Sequence, residues 1–401
     1  MLRRWLHYCL PALLVLAACG VYRVTLASSS KPDALRNLAH DPSLSRPPNV
    51  IAPRYDDPRV ATDGQLRELL DRMKPTLAPV DTNVLVHALR LWGPRAEFGD
   101  QKHPSGATML RYFLDDNNFR RLAPKDTPPL FSVHPDGITV RPWSEDSPHR
   151  LTGAVHVDDL LATLAESGVP LSEPFVTRDG TAHVADLLQG AMRRFHRRQQ
   201  EYEWSAISYA RYLFPADRWS NRYGQPVDVG ALIDELMEQP MPNGVCGGAH
   251  RLEALVVLLR ADDTHHVLSK RQRKKITDYL TRITALLIAS QNSSGYWDRN
   301  WYLGAAGATS TPGAKQDTAY DRILTTGHHL EWLALAPPEV QPPQETIVRA
   351  GQWLVRAMLA EDDVHLRKHY GPFSHAVRAL CLWRSKDPYD AWRVQVADKQ
   401  K

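Results

Sequence analysis

Three segments in the second half of the chain each begin a helical pattern with glycine followed by histidine. They read CGGAHRLEAL, TTGHHLEWLAL and YGPFSHAVRAL. Each histidine is followed three residues later by a charged side chain, and residues three apart lie above one another on a helix. Glycine at such a position permits the close approach of a ligand to the backbone. The resulting pairs are His250–Glu253, His328–Glu331 and His375–Arg378.

An imidazole beside a carboxyl group is suited to general acid–base catalysis. Imidazole has an ordinary pKa of about 6.5, and burial raises the pKa of a carboxyl group, so both can exchange protons near neutral pH. We therefore expect His328 and His250 to transfer protons. Glu331 and Glu253 would orient them or bind substrate hydroxyl groups.

The same residues have two other interpretations. Two His-x-x-Glu pairs are adequate ligands for zinc or iron, but without cysteine ligands or a recognisable motif we expect neither a metal nor another cofactor. A helix that enters a core also uses His or Glu to satisfy its own first-turn N–H groups. Repetition in three helices makes a functional site as well supported as this structural role. In such a site, His375 would bind substrate and Arg378 would hold an anionic or carbonyl oxygen.

Aromatic residues cluster in the stretch QNSSGYWDRNWY, before a long loop at 303–322 that is rich in Gly, Ala and Thr. Trp297 and Trp301 could form a stacking platform for a sugar ring, with the loop as a lid. A packed aromatic turn that caps the preceding helix explains the pattern equally well. We assign both tryptophans to substrate binding.

The first residues of the chain resemble a bacterial export signal. MLRRWLHY carries positive charge, and CLPALLVLAAC is a short apolar core. The sequence LAAC at 16–19 resembles a lipobox, in which Cys19 would be lipidated, and the alternative is an uncleaved signal anchor. Either one predicts that residues 1–26 hold the body outside the cytoplasm, on a bacterial membrane. Residues 27–60, rich in Ser, Pro and Asp, are predicted to be a disordered tether.

The composition of the chain is typical of a globular protein and does not assign a function. Its 401 residues, 43% hydrophobic and 23% charged, are typical of a globular protein with one large domain or two smaller ones. A net charge of +4 gives no reason to expect nucleic acid as a partner. Outside the export segment only Cys246 and Cys381 remain, which could form one disulfide but no metal knuckle.

From residue 61 to residue 390 the sequence predicts helix after helix. Apolar residues recur at three- and four-residue steps, and the segments end at Pro and Gly. One interruption, PPLFSVHPDGITVRPW at 128–143, is predicted to be a β-hairpin. The predicted helices are 64–74, 81–92, 105–121, 157–167, 182–197, 201–213, 228–238, 248–261, 269–290, 323–336, 344–360 and 372–385.

Two kinds of helix alternate in the second half of the chain. Those at 248–261, 323–336 and 372–385 are mostly apolar, whereas those between them are amphipathic. Apolar helices are expected at the centre and amphipathic helices around them. This alternation predicts an all-α protein, an α/α toroid of about six helical hairpins with a tail at 391–401. The alternative is an elongated α-solenoid, whose repeat signatures are not found in the sequence.

Two short motifs resemble known families of toroid proteins. GHHLEW at 327–332 resembles the Gly-His-x-x-Glu-Trp signature of N-acylglucosamine 2-epimerase-like sugar isomerases. That resemblance implies that His328 is the catalytic acid/base and Glu331 the matching carboxylate, with Trp332 as a further substrate-binding residue. QNSSGYW at 291–297 is similar to the Gln-x-x-x-Gly-x-Trp repeat of squalene and oxidosqualene cyclases, in one copy and without their Asp-x-Asp-Asp motif.

These features favour a membrane-tethered, carbohydrate-active enzyme: an isomerase, epimerase, lyase or hydrolase. One alternative is a non-catalytic envelope module that binds glycans or proteins. The other is a terpenoid cyclase-like or prenyltransferase-like protein that binds isoprenoids. The expected partners are a membrane, through the N-terminus, and a carbohydrate ligand, and no nucleic acid is expected.

Overall fold

A computed structural model shows a mainly helical protein. It describes residues 47–76, 81–123, 125, 127–141, 156–196, 199, 201–212, 218–241, 244–308 and 318–393. The α-helices in these ranges are α1 (Asp63–Arg72), α2 (Thr82–Trp92), α3 (Gly106–Leu114), α4 (Asp116–Leu122), α5 (Asp159–Glu166), α6 (Val184–Arg194), α7 (Glu203–Tyr212), α8 (Val229–Glu238), α9 (Ala249–His265), α10 (Lys270–Ser290), α11 (Ala305–Ala308), α12 (Thr318–Leu335), α13 (Gln344–Ala360), α14 (Asp363–Lys368), α15 (Tyr370–Trp383) and α16 (Pro388–Arg393).

Three antiparallel β-hairpins interrupt the helices, and the sequence predicts only the first. That hairpin turns at Pro-Asp-Gly, within the stretch 128–143. All six strands have only three or four residues, so an alternating apolar pattern is weak in each, and the other two hairpins lack the Pro-Asp-Gly turn that marks the first. The strand pairs are β1 (Phe131–His134) with β2 (Gly137–Val140), β3 (Pro174–Thr177) with β4 (Gly180–His183), and β5 (Arg218–Ser220) with β6 (Pro226–Asp228).

The mostly apolar helices lie in the interior, as their composition predicts. Residues 249–259 of α9 and 325–335 of α12 are all buried, and α15 is nearly so. By contrast, α10 buries one stripe that includes Ile276, Leu280 and Leu287, and exposes most of its charged residues. Each side chain of that stripe contributes about 1.5–3 kcal/mol by its burial. The prediction that the mostly apolar helices are buried is therefore confirmed for α9 and α12, and α10 is amphipathic as predicted.

Six helices contact one another in a closed sequence. Helix α2 packs against α5, α5 against α7, α7 against α9, α9 against α12, and α12 against α15, which returns to pack against α2. Amphipathic helices such as α6, α8, α10 and α13 separate successive members along the chain. Side chains that the six helices direct inward therefore share one central region.

Gly327 allows α12 and α15 to approach each other closely. A Cβ atom at position 327 would lie 2.8 Å from the Cα atom of Ala376, closer than van der Waals contact. We expect Gly327→Ala to lower the free energy of unfolding by about 1–3 kcal/mol, because it overpacks this contact. Gly64→Ala is the control, since its methyl group meets only Thr62 Oγ1 at 4.0 Å and favours the helix. Equal unfolding midpoints in urea would contradict the close approach.

The segment 47–60 packs against the helical body, so the predicted disordered tether is wrong for these residues. Tyr55 stacks on Trp383 with ring centroids 4.9 Å apart, and its hydroxyl donates to the carbonyl of Ala336 over 2.9 Å. Val60 is buried. The prolines and aspartates prevent regular structure here without preventing docking. The folded body therefore begins before residue 61.

The predicted export segment lies outside the described residues. This holds for residues 1–26 with Cys19, for residues 27–46 of the tether, and for residues 394–401 of the tail. Helix α16 continues to Arg393, so ordered chain extends slightly past the predicted boundary at 390. Within the described ranges, no helix has both the length and the apolar character needed to cross a membrane.

Candidate functional site

Three histidines from three helices of the closed sequence meet at the centre. They are His250 of α9, His328 of α12 and His375 of α15. Their ring centroids lie 4.4 Å apart for the last two, 4.7 Å apart for the first two, and 5.1 Å apart for the remaining pair. All three side chains are buried. The structure therefore brings together the three histidines that the repeated Gly–His pattern singles out.

Carboxyl groups hold two of these imidazoles. Nδ1 of His250 lies 3.1 Å from Oε2 of Glu253, one turn along the same helix. Nδ1 of His375 lies 2.8 Å from Oε2 of Glu331, which belongs to α12. Glu331 therefore holds a histidine of the neighbouring helix, whereas its position three residues after His328 predicts contact within its own helix.

His328 has a buried nitrogen without a partner. Its Nδ1 lies 2.7 Å from the carbonyl oxygen of Leu324. Because a carbonyl oxygen only accepts, Nδ1 carries the proton and Nε2 the lone pair. Nε2 is buried and has no hydrogen-bond partner among the described residues. Burial lowers the pKa of His328, so the ring is a neutral imidazole that can accept a proton or bind a metal ion.

Arg378 joins the carboxyl groups of the cluster. Its Nη1 donates to Glu331 and lies 3.6 Å from Oε1 of Glu253, and its Nη2 lies 3.1 Å from Oε1 of Glu166. Burial opposes its charge, but these carboxylates hold the pKa of Arg378 above its ordinary value. The guanidinium group that we assigned to a substrate oxygen is thus occupied by protein carboxylates and positions them.

Charged residues that the sequence analysis did not select complete the cluster. Arg90 of α2 donates to Asp159 over 2.7 Å and to Glu166 over 2.8 Å, and both carboxylates belong to α5. Arg211 of α7 lies 3.4 Å from Glu166. The guanidinium carbon of Arg90 lies 4.2 Å from the ring centroid of Trp204. Arg90 is the single charged residue of α2, TNVLVHALRLW, and that signal could have identified it. Glu166 and Asp159 are the two charged residues of α5, at its two ends.

The pKa values of the cluster are shifted in two directions, upward for the carboxyl group of Glu253 and downward for the imidazoles of His250 and His375. Burial, and then two neighbouring carboxylates, raise the pKa of Glu253 to about 8. The pKa values of His250 and His375 lie well below their ordinary value, because both rings are buried and lie beside His328. At neutral pH a protonated carboxyl group thus stands beside neutral imidazoles, an arrangement that suits acid–base catalysis.

The tryptophans assigned to substrate binding are buried in the core. Trp297, Trp301 and Trp332 expose at most 1% of their surface. The indole N–H of Trp297 donates to the carbonyl of Leu287 over 2.8 Å, and that of Trp332 donates to Nδ1 of His329 over 3.1 Å. In this arrangement they offer no face to a sugar ring. The packed aromatic turn is the interpretation that describes Trp297 and Trp301.

Cys246 lies beside the central histidines. Its φ of 50° is in the left-handed region, and the two glycines that follow it also have positive φ. Its sulfur lies within 4.8 Å of ring nitrogens of His250 and His328. Burial raises the pKa of the Cys246 thiol to about 12. Both Cys246 and Cys381 are free thiols, so the disulfide considered from the sequence is not formed.

Two sets of three side chains have the spacing of metal ligands. One consists of Cys246, His250 and His328, and the other of His328, Glu331 and His375. Within each set the ligand atoms lie within 4.8 Å of one another. Nitrogen and sulfur ligands suit zinc, and a set with one carboxylate suits zinc or iron. His328 belongs to both sets.

A pocket of about 240 Å³ adjoins the cluster at the C-terminal ends of α2 and α15. Arg90, Glu166 and Arg378 line its inner side. Since Arg378 also contacts Glu331, the pocket lies one side chain away from the central carboxyl groups. It provides room for a small polar ligand close to the cluster.

Comparisons of the chain with family models, with curated proteins and with solved structures find no match. The short resemblances at 327–332 and 291–297 therefore stay predictions. The functional interpretation depends on the geometry of the cluster itself.

Proposed function

We propose that the protein is an α/α toroid enzyme that performs acid–base chemistry on a carbohydrate-like substrate at its centre. The closed sequence of contacts from α2 to α15 and back to α2 supports the toroid. The amphipathic helices that alternate with these six along the chain support it as well. Attachment to a bacterial membrane outside the cytoplasm rests on the N-terminal sequence and is part of the proposal.

The observation that carries the proposal is the pairing of imidazole and carboxyl groups from different helices in one buried cluster. In this proposal His328 accepts a proton through its unpaired Nε2. Glu253, whose Oε1 also has no hydrogen-bond partner among the described residues, donates one. His250 lies between them, with Nδ1 on Glu253 and its ring 4.7 Å from that of His328. An acid and a base this close can move a proton between neighbouring carbons or cleave a glycosidic bond.

The chemistry of the cluster supports a polar substrate. Imidazole, carboxyl and guanidinium groups can exchange hydrogen bonds with hydroxyl groups. A hydrocarbon in the same place would leave Nε2 of His328 and Oε1 of Glu253 without a hydrogen bond, at a cost of about 1–3 kcal/mol for each group. This favours a sugar over an isoprenoid. The non-catalytic alternative needs exposed aromatic residues, and Trp297 and Trp301 are buried.

A ligand screen followed by one substitution tests the proposal. Monosaccharides and oligosaccharides that raise the melting temperature identify the ligand, because binding to the native state stabilises it. With that compound as substrate, we expect His328→Gln to lower kcat by about 100- to 10,000-fold, the usual contribution of proton transfer. Its melting temperature should stay within about 2 °C of the wild type.

The control for this substitution is His134→Gln, at an exposed histidine of β1. It should leave both kcat and the melting temperature unchanged. An unchanged kcat in His328→Gln would refute the proton-transfer role. A large loss of stability in that variant would assign His328 a structural role instead.

A further inference from the structure

Cys246, His250 and His328 combine the three features of a metal-binding set: suitable atoms, short separations and an unpaired lone pair. Their sulfur and nitrogen atoms lie within 4.8 Å of one another. A thiolate with two imidazoles is a ligand set that binds zinc in preference to calcium or magnesium. Cys246 lies in the turn that leads into α9, His250 in the first turn of α9, and His328 in α12, so the fold brings the three residues together.

Both histidines are oriented in the manner of metal-bound imidazoles. A metal-binding histidine usually donates its second ring N–H to a carboxylate or a backbone carbonyl, which fixes the ring and leaves the other nitrogen for the ion. His328 directs Nδ1 to the carbonyl of Leu324, and His250 directs Nδ1 to Glu253. Nε2 of His328 is buried and has no partner among the described residues. A bound cation would satisfy it.

The turn before α9 holds the sulfur in place. Cys246 has a φ of 50° and Gly248 a φ of 85°. A Cβ atom at Gly248 would lie 2.7 Å from the carbonyl oxygen of Met241, so the chain is closely packed here. A cysteine in the left-handed region is strained, and such strain persists where the surrounding structure enforces it. The turn therefore fixes the thiol beside the two imidazoles.

We infer that Cys246, His250 and His328 form a binding site for a zinc-class divalent cation. Three protein ligands leave the fourth tetrahedral position for water. The cation replaces the thiol proton, which passes to solvent, so one proton is released for each ion bound. Glu331 and His375 are poorer candidates, because Glu331 is already bound to His375 and to Arg378.

A cation bound at this site blocks the proposed proton transfer, and this part of the inference rests on the proposed function. A cation on Nε2 of His328 occupies the lone pair that accepts a proton in the proposed reaction. Occupancy therefore regulates the same site by switching proton transfer off. We expect added Zn²⁺ to inhibit turnover, and a chelator to restore it.

Cobalt(II) is the probe that tests the binding site without a substrate. The full chain, treated with a chelator and then freed of it, is titrated with Co²⁺. We expect one ion for each chain, the visible bands of tetrahedral cobalt, and a near-ultraviolet thiolate-to-cobalt charge-transfer band. Added Zn²⁺ should remove these bands by displacement.

Substitution of the two free cysteines gives a matched comparison. Cys246→Ser should abolish the charge-transfer band and weaken binding by at least about tenfold. Cys381→Ser changes the other free thiol of the described chain and should keep both the band and the affinity. If Cys246→Ser does not fold, Cys246→Gly replaces it, since glycine suits the positive φ.

The outcomes separate this inference from the proposed function. A wild-type protein that gives no charge-transfer band overturns the metal site, and so does a band that persists in the Cys246 variant. Neither result bears on the kcat of His328→Gln. Conversely, cobalt binding by the wild-type protein, together with an unchanged kcat in His328→Gln, would support the metal site and refute the proton-transfer role.

Discussion

Replacing Glu331 by glutamine is expected to lower the free energy of unfolding by about 3 kcal/mol, because the buried guanidinium group of Arg378 loses one of its carboxylate partners and keeps Glu166. Glu331 is 1% exposed, accepts from Arg378 and lies 2.8 Å from Nδ1 of His375. Glutamine keeps the size of the side chain and removes only its charge. Urea denaturation at neutral pH measures the difference.

An exposed ion pair provides the control for this prediction. Asp278 lies 2.7 Å from Lys274 on the surface of α10, and Asp278→Asn should cost less than about 0.5 kcal/mol. Adding Arg378→Met to Glu331→Gln should recover part of the loss, because the buried charge that has lost a partner is then removed, and Glu166 keeps Arg90 and Arg211. A loss in Glu331→Gln no larger than in Asp278→Asn would mean that the buried pair contributes nothing to stability.

The protein is also expected to lose stability steeply as the pH falls below about 6.5. Burial lowers the pKa of His87 to about 4 and that of His329 to about 3, and it lowers the pKa values of the three central histidines too. Below pH 6.5 these five side chains bind protons more readily in the unfolded chain than in the native state. Each therefore destabilises the native state by up to about 1.4 kcal/mol per pH unit.

Glu253 and His156 change the stability in the opposite direction, because each binds a proton more tightly in the native state than in the unfolded chain. The pKa of Glu253 is raised to about 8, so between pH 4.5 and 8 it holds a proton only in the native state. Burial opposes the charge of His156, but its bond to Glu201 and the charge of Asp159 raise its pKa to about 9. Its stabilising charge is complete below pH 6.5 and is lost as the pH rises through 9. Maximum stability should therefore lie near pH 6.5.

Urea unfolding between pH 5 and pH 9 measures how the free energy of unfolding changes with pH on the acid side and on the alkaline side of the maximum. On the acid side the five histidines and Glu253 together give about 5 kcal/mol per pH unit, and on the alkaline side the slope is smaller and opposite in sign. His87→Gln should reduce the acid slope by about 1.4 kcal/mol per pH unit, the contribution of one proton. A flat profile between pH 5.5 and pH 7 would contradict the assignment of neutral buried histidines.

The sequence predicts the principal helices of this fold because their apolar periods are long. The sequence predicts that the segments 248–261 and 323–336 are helices and that they are buried, and both predictions are confirmed. Helices α14 and α16, of six residues each, are too short to show a period. The segment 105–121 was predicted as one helix, but Asp115 ends α3 and its side chain accepts the first N–H groups of α4. A single capping residue does not change the apolar period of the segment around it, so the period does not reveal where one helix ends and the next begins.

The candidate site was predictable only in part. Repeated spacing identified His250, His328 and His375, because each lies at the same place in its helix. The bond from Glu331 to His375 could not be predicted, since it depends on how closely α12 and α15 approach, which Gly327 permits. Tryptophans fit a core and a binding surface equally well by composition, and only the packing of the chain around them decides.

The docking of Tyr55 on Trp383 and the contact of α2 with α15 form a seam that joins early and late parts of the chain. A ribosome releases Tyr55 long before Trp383 exists. The inner faces of the first helices therefore stay without their packing partner until α15 has been synthesised. Folding of the whole domain cannot be completed before that point. A chain shortened before α15 would leave the seam open and its apolar surfaces exposed to aggregation and proteolysis.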